Sequence, residues 1–250
     1  MNSLSWIKSI PLPSEFSGCQ IFVTQSALNL STAVGEPIQL IQARRQVLQR
    51  VVGLPIAWLQ QVHGAEVQVF DDPLVASCSD HWPEKDASAT CSHAMALAVL
   101  TADCLPVVFY ASQGKRSIGI AHAGWKGLAA GVLQACVQQV ADLAHAPLTS
   151  VRAWMGPAIG PASFEVGLEV KQRFLSVSES YGPAFNAAGI SNKVYANLYE
   201  LATIALNEIG VVVSGGGSDT FVNTDWFSHR GSQQDINRPI GRFATVVRLV

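Results

Sequence analysis

Two apolar runs, residues 95–100 (Met-Ala-Leu-Ala-Val-Leu) and 106–110 (Pro-Val-Val-Phe-Tyr), are interrupted by Thr101-Ala102-Asp103-Cys104. Runs this short and this apolar read as strands. The polar cluster between them then reads as the place where two strands meet at a site. The same form occurs twice more. Residues 56–59 lead into Gln61-Val62-His63-Gly64, and residues 117–121 lead into His122-Ala123-Gly124-Trp125-Lys126-Gly127. Each segment ends in an imidazole or thiol beside Gly or Ala, small residues that let a ligand or metal come close.

Further strands are expected at 19–24, 65–70 and 152–155, and buried strands at 211–213 and 241–250. A helix is expected over Ile38–Val52, with Leu40, Ile41, Leu48 and Val51 near helical period. A second covers residues 128–143, with Val132, Leu133, Cys136, Val137 and Val140 on one face. Others are expected near 168–180 and 196–209, whereas residues 71–93 give no readable period. Gly156-Pro157-Ala158-Ile159-Gly160-Pro161 reads as a rigid turn. Strands and helices mixed without strict βαβ alternation point to an α+β or mixed α/β fold, with mixed β-sheets flanked by helices. No repeat or linker-like boundary divides the chain, so one domain over residues 1–250 is expected.

Hydrophobic residues are 49% of the chain and charged residues 14%, enough apolar surface for a substantial core and too much for disorder. The formal charge of -2 leaves no basic footprint for nucleic acid and no polybasic membrane patch. No run of eighteen apolar residues exists, and the N-terminus lacks the apolar stretch of a signal peptide. Five cysteines, an odd count in a chain too large to need staples, suggest reduced thiols in a cytoplasmic protein.

Cys19, Cys78, Cys91 and Cys136 read as small buried hydrophobes. His81 and His93 read as solvent-exposed, and His145 as a complement to a helix dipole. His229, in Phe227-Ser228-His229-Arg230, reads as an anion-binding loop or a surface turn. Glycine-rich phosphate signatures are absent, and Ser214-Gly215-Gly216-Gly217-Ser218 reads as a turn. Lys126, at a helix start, suits an anionic group such as phosphate, or is simply solvated.

His63, Cys104 and His122 together make a coherent donor set for zinc, with a fourth position open as in catalytic sites. Taken singly, each is more often a hydrogen-bonded or buried structural residue, and no CxxC or HExxH spacing links them. The same residues also suit a Cys104–His122 dyad for acyl transfer. There Asp103 opposes the thiolate unless it points away or orients a histidine. Metal coordination needs no such base, and is the preferred reading.

Gln61-Val62-His63-Gly64, Thr101-Ala102-Asp103-Cys104-Leu105-Pro106-Val107, Ala121-His122-Ala123-Gly124-Trp125-Lys126-Gly127 and Gly156-Pro157-Ala158-Ile159-Gly160-Pro161, followed by Phe164-Glu165-Val166-Gly167, carry a clear resemblance. With Phe227-Ser228-His229-Arg230 and Gly241-Arg242, the chain from about residue 20 onward resembles the YfiH (laccase-domain, "polyphenol oxidase") family. That resemblance implies a single mixed α/β domain related to a bacterial toxin deamidase fold. It implies zinc, or copper, held by His63, Cys104 and His122. It also implies phosphorolysis of adenosine, inosine, guanosine or methylthioadenosine, an accompanying adenosine deaminase activity, and a link to peptidoglycan editing. Catalysis would rest on His63, Cys104, His122 and Asp103, the last orienting a ligand histidine. Lys126, Arg230 and Arg242 would contact phosphate or substrate, in a monomer or homodimer. The laccase label itself fits poorly, because six histidines without a His-x-His pair cannot hold a four-copper set.

The chain departs from that family at four places. Val23-Thr24-Gln25 runs straight into Ser26-Ala27-Leu28-Asn29-Leu30, without the Thr-Thr-Arg-x-Gly-Gly stretch. Asp219-Thr220 replaces Cys-Thr, Arg230-Gly231 replaces Arg-Arg, and Asn197 replaces Asp. Fewer anion-binding residues keep two other readings in play: a metal-binding regulatory protein with little turnover, and a Cys–His amidohydrolase acting on cell-wall precursors.

Overall fold

The computed structural model describes residues 6–73, 82–189 and 192–250. A five-stranded sheet runs in the order β1 (Ile7–Ser9), β2 (Cys19–Thr24), β14 (Phe243–Leu249), β6 (Ala96–Thr101) and β3 (Ile56–Ala57). A six-stranded sheet runs β13 (Val212–Gly215), β9 (Val151–Met155), β7 (Leu105–Ala111), β8 (Ser117–Ala123), β5 (Ala87–Thr90) and β4 (Val67–Val69). Both sheets are mixed: β3 with β6, β13 with β9 and β4 with β5 pair in parallel, and the other neighbours are antiparallel. A small antiparallel sheet is made by β10 (Glu165–Gly167), β12 (Lys193–Ala196) and β11 (Phe185–Ala187).

The long strands are apolar throughout because both of their faces are covered. Leu97 and Val99 of β6 and Phe243 and Val247 of β14 pack against Val108 and Tyr110 of β7 and Ile118 and Ile120 of β8, so the two large sheets lie face to face. Alternate residues point the other way, as a period of two requires. Ala96, Ala98, Ala244 and Val246 meet Leu48 and Val52 of α1 (Ile38–Val52). On the far side, Leu105, Val107 and Phe109 meet α3 (Val132–Ala144) and α5 (Leu198–Asn207). The order of layers is helix, sheet, sheet, helix. The remaining helices are α2 (Trp125–Ala129), α4 (Leu168–Leu175) and α6 (His229–Gln234). This is a mixed α/β single domain.

Most of the expected elements form. The helix expected over 128–143 begins earlier, at Trp125, and breaks at Ala130-Gly131, where Gly131 takes a left-handed φ of 88°. The helix near 168–180 stops at Leu175, and residues 179–184 tighten into a 3₁₀ turn. The strand expected at 211–213 is a sheet edge, with Val212 55% exposed rather than buried. Cys136 is buried in α3 and Cys19 in β2, whereas Cys91 is only half-buried, so the expectation for it fails. Cys78 and His81 lie outside the described residues. His93 is exposed, and His145 closes α3 in a left-handed conformation.

Candidate metal centre

The chain crosses from one sheet to the other between β6 and β7, and that crossing carries Asp103 and Cys104. Next to it, β8 presents His122, whose register partner on β7 is Pro106. His63 comes from the loop after β3, in a left-handed conformation with φ 62°. The ligand atoms of His63, Cys104 and His122 lie within 4.8 Å of one another. Cys104 Sγ is 4.0 Å from His63 Nε2, and the two imidazoles meet edge to face at 4.8 Å. Among the described residues no other group of three His, Cys, Asp or Glu side chains converges in this way. Gly124 makes room for it: a Cβ there would sit 3.0 Å from Cys104 Sγ and 3.1 Å from His63 Cδ2.

A residue the sequence pattern missed organises this cluster. Asp86, at the start of β5 and fully buried, accepts hydrogen bonds from the backbone N–H groups of Val62 (3.1 Å), His63 (2.9 Å) and Gly64 (2.6 Å). Successive N–H groups curled around a carboxylate form an anion nest, which offsets the strain of the left-handed His63 backbone. The other contact is His122 Nδ1, 2.8 Å from Asp86 Oδ1. Burial alone would raise the Asp86 carboxyl, but the His122 and backbone hydrogen bonds outweigh it and lower its pKa. An ionised carboxylate only accepts, so Nδ1 carries a proton toward Asp86, and Nε2 is the nitrogen that would give up its proton to hold an ion. Asp103 does not do this work. Its Oδ1 accepts from the Thr220 hydroxyl at 2.7 Å and its Oδ2 from the Arg230 backbone N–H at 2.6 Å. The expectation that Asp103 orients a ligand histidine is therefore corrected to Asp86.

Burial would push the Cys104 thiol up, but the charge and hydrogen bond of His122, then those of His63, bring it down to about 6. Burial would lower His122, yet the Cys104 charge and the Asp86 hydrogen bond raise it to about 9. The site thus favours a thiolate at neutral pH. Two imidazole nitrogens and a thiolate are a donor set suited to zinc or copper, so the residues present fit such an ion.

The cluster stands between two cavities. One, of about 280 Å3, is lined by Asp103, Trp125, Lys126, Phe164, Leu198 and Arg230. Arg230 donates to the Glu165 carbonyl at 2.8 Å and lies 5.8 Å from the Phe164 ring centre; Lys126 is exposed. The other, of about 660 Å3, holds Arg242 with Arg45. The three cations expected to contact phosphate or substrate line different cavities, with Arg242 apart from Lys126 and Arg230. His229 lines both cavities, as do His63 and Cys104.

The departures have structural uses. Asn197 caps α5, its Oδ1 accepting from the N–H groups of Tyr199 and Glu200. Asp219 accepts from the Ser163 hydroxyl at 2.6 Å. Gly231 leaves space that a Cβ would take from Arg238, 2.6 Å away, whose guanidinium donates to the Thr220 and Phe221 carbonyls.

Comparison with known proteins identifies the family. The family described as multi-copper polyphenol oxidoreductase laccase matches residues 19–250. A Pseudomonas aeruginosa protein named purine nucleoside phosphorylase is 38% identical over 226 residues, 89% of this chain and 86% of that protein. An Escherichia coli K12 protein named purine nucleoside phosphorylase YfiH is 36% identical over 228 residues, 90% of this chain and 87% of that one. A Neisseria meningitidis crystal structure superposes with TM-score 0.84 at 32% identity, over 98% of this chain and 99% of that one. Bacillus licheniformis YfiH shares the fold, with TM-score 0.86 at 22% identity and 97% of each chain covered.

Proposed function

Since the chain belongs to the multi-copper polyphenol oxidoreductase laccase family, alongside the YfiH proteins, we propose that it is a zinc-dependent purine nucleoside phosphorylase. The observation that carries this is the His63–Cys104–His122 cluster standing between an aromatic cavity and a cationic one. Its substrates would be adenosine, inosine, guanosine and methylthioadenosine. A four-copper oxidase is a poor fit, because the chain has six histidines and the described residues offer one cluster. Four of the five cysteines are described, and all four are free thiols, which suits a cytoplasmic protein. No helix among the described residues is long and apolar enough to cross a membrane.

His63, Cys104 and His122 would hold the ion, which when bound supplies positive charge to orient a phosphate oxygen or sugar hydroxyl. The Trp125–Phe164 cavity takes the purine ring by stacking. An oxygen of HPO₄²⁻ bonds to ribose C1′ as the C1′–N9 bond breaks, and that bond's electron pair passes to N9. The proton that phosphate gives up is the one the purine takes, leaving ribose 1-phosphate and free base. Lys126 and Arg230 face the purine side, where they donate to the base as negative charge builds on it. Asp103 is a positioning residue, holding the Arg230 backbone and Thr220 in place. Adenosine deamination fits the same cavities, with water adding at purine C6 and ammonia leaving.

The purified zinc-loaded protein, given inosine with and without phosphate, tests this. Phosphate-dependent release of hypoxanthine and ribose 1-phosphate is expected. Base release that ignores phosphate, or stoichiometric metal with no turnover, contradicts it, the latter pointing to a regulatory metal protein. One observation favours a second reading: the lowered Cys104 thiol beside His122 suits a nucleophilic amidohydrolase. That reading alone predicts turnover that survives chelation and a covalent adduct on Cys104.

A further inference from the structure

A third cavity, of about 300 Å3, shares no described lining residue with the two at the metal cluster. Its walls come from both large sheets: Lys8 of β1 and Val23 of β2 from one, Trp154 and Met155 of β9 and Gly215 of β13 from the other. β1 and β13 are the outermost strands of their sheets, so the packing of one sheet on the other ends there.

Two indoles line this cavity, and one of them lacks an acceptor. Trp226 Nε1 is buried and has no hydrogen-bond partner among the described residues. The other buried side-chain atoms in that position are hydroxyl oxygens, which can rotate toward a partner, and one amide oxygen; only the indole nitrogen is limited to donating. Its ring packs 6.5 Å from the Phe243 ring, centre to centre. A buried indole N–H ordinarily finds an acceptor, and leaving one unmet is costly. The second indole is kept open by a glycine. A Cβ at Gly215, where φ is 77°, would lie 2.7 Å from Trp154 Nε1, so no side chain covers that N–H from β13.

The remaining lining says what kind of molecule fits. Lys8 is already paired with Asp225 at 3.6 Å, so the cavity does not call for an anion. Ile10, Val23, Met155 and Pro157 are apolar, and the Gln25 amide can both donate and accept. Apolar walls with a few polar groups, at this volume, suit a small organic molecule. Two indoles and a thioether favour a flat ring, and the unmet N–H requires that the ring carry an acceptor.

We propose that the Trp154–Trp226 cavity is a second small-molecule site, which takes a neutral heteroaromatic ring whose nitrogen or carbonyl oxygen accepts from Trp226 Nε1. The site is independent of the phosphorylase reading and stands whichever reaction the metal cluster performs.

The indole N–H signals of the isotope-labelled, metal-loaded protein test this during titration with nicotinamide, a neutral ring with a ring nitrogen and a carbonyl. The chain has six tryptophans, and Trp154→Phe and Trp226→Phe identify two of the six signals. Both should move together, while the Trp125 signal, which reports the cavity at the metal cluster, should stay. Trp226→Phe keeps a ring but loses the N–H; followed through the Trp154 signal, its affinity should fall by about tenfold. Cyclohexanecarboxamide, which has the acceptor without the flat ring, should bind wild type about tenfold more weakly than nicotinamide does. A Trp226 signal unmoved at the end of the titration, or movement of Trp125 alone, overturns the site. Unchanged affinity in Trp226→Phe, with its other indole signals in place, overturns the role of that N–H. Benzoate that binds more tightly than nicotinamide at Trp226 overturns the assignment to a neutral ring.

Discussion

The three ligand residues were legible one at a time, because each closes an apolar run beside a small residue. The carboxylate that holds them was not. Asp86 belongs to a stretch without periodicity, and the strand it opens, Ala87-Ser88-Ala89-Thr90, has no bulky side chain to announce burial. Asp103 drew the attention instead, being adjacent to Cys104, but it sits in the bend between β6 and β7 with a left-handed φ of 88°, and its carboxylate is taken by Thr220 and the Arg230 N–H. Asp86→Asn should therefore lower metal affinity by about 10- to 100-fold in competition with a chelator, since it weakens both the His122 bond and the nest around His63. The metal-free protein should also show an acid–base pair at this site. The depressed Cys104 value contributes stability that is full above its ordinary 9.0 and lost as pH falls through about 6. The raised His122 value contributes stability that is full below its ordinary 6.5 and lost as pH rises through about 9. A thiolate–imidazolium pair therefore persists between those limits. Ultraviolet thiolate absorbance should rise with a midpoint near 6, and in His122→Gln the midpoint should move well upward, because desolvation is then less opposed.

Long elements followed from period alone, short ones did not. The α1 helix formed over the residues its spacing indicated, ending at Gly53 in a left-handed cap. The strands β10 to β12 have three or four residues each, too few for a period to stand out, and they escaped notice. Capping explains why one departure from the family is tolerated. Asn197 and an aspartate in its place offer the same oxygen to the first turn of α5. Asn197→Asp should leave stability within a few tenths of a kcal/mol, and Asn197→Ala should cost about 1 kcal/mol, both read from urea unfolding.

At the scale of the molecule, two sheets with buried faces bring distant segments together, and the metal ligands sit where the chain passes between those sheets. His63, Cys104 and His122 lie on separate segments, so an ion they share ties the layers to one another. Binding to the folded state alone stabilises by mass action. Zinc at a hundred times its Kd should add about 2.7 kcal/mol, and removal by a chelator should lower the unfolding temperature by several degrees. The charge pattern of the cavities could not be read from the sequence, because which cations face a cavity is set by how distant segments pack. The most direct test of the centre is X-ray absorption spectroscopy on zinc-loaded protein with the metal content measured. One ion per chain is expected, with a single sulfur at ~2.3 Å, two imidazole nitrogens at ~2.0 Å, and the sulfur shell gone in Cys104→Ser. Several ions per chain, or a wild-type shell without sulfur, would contradict it.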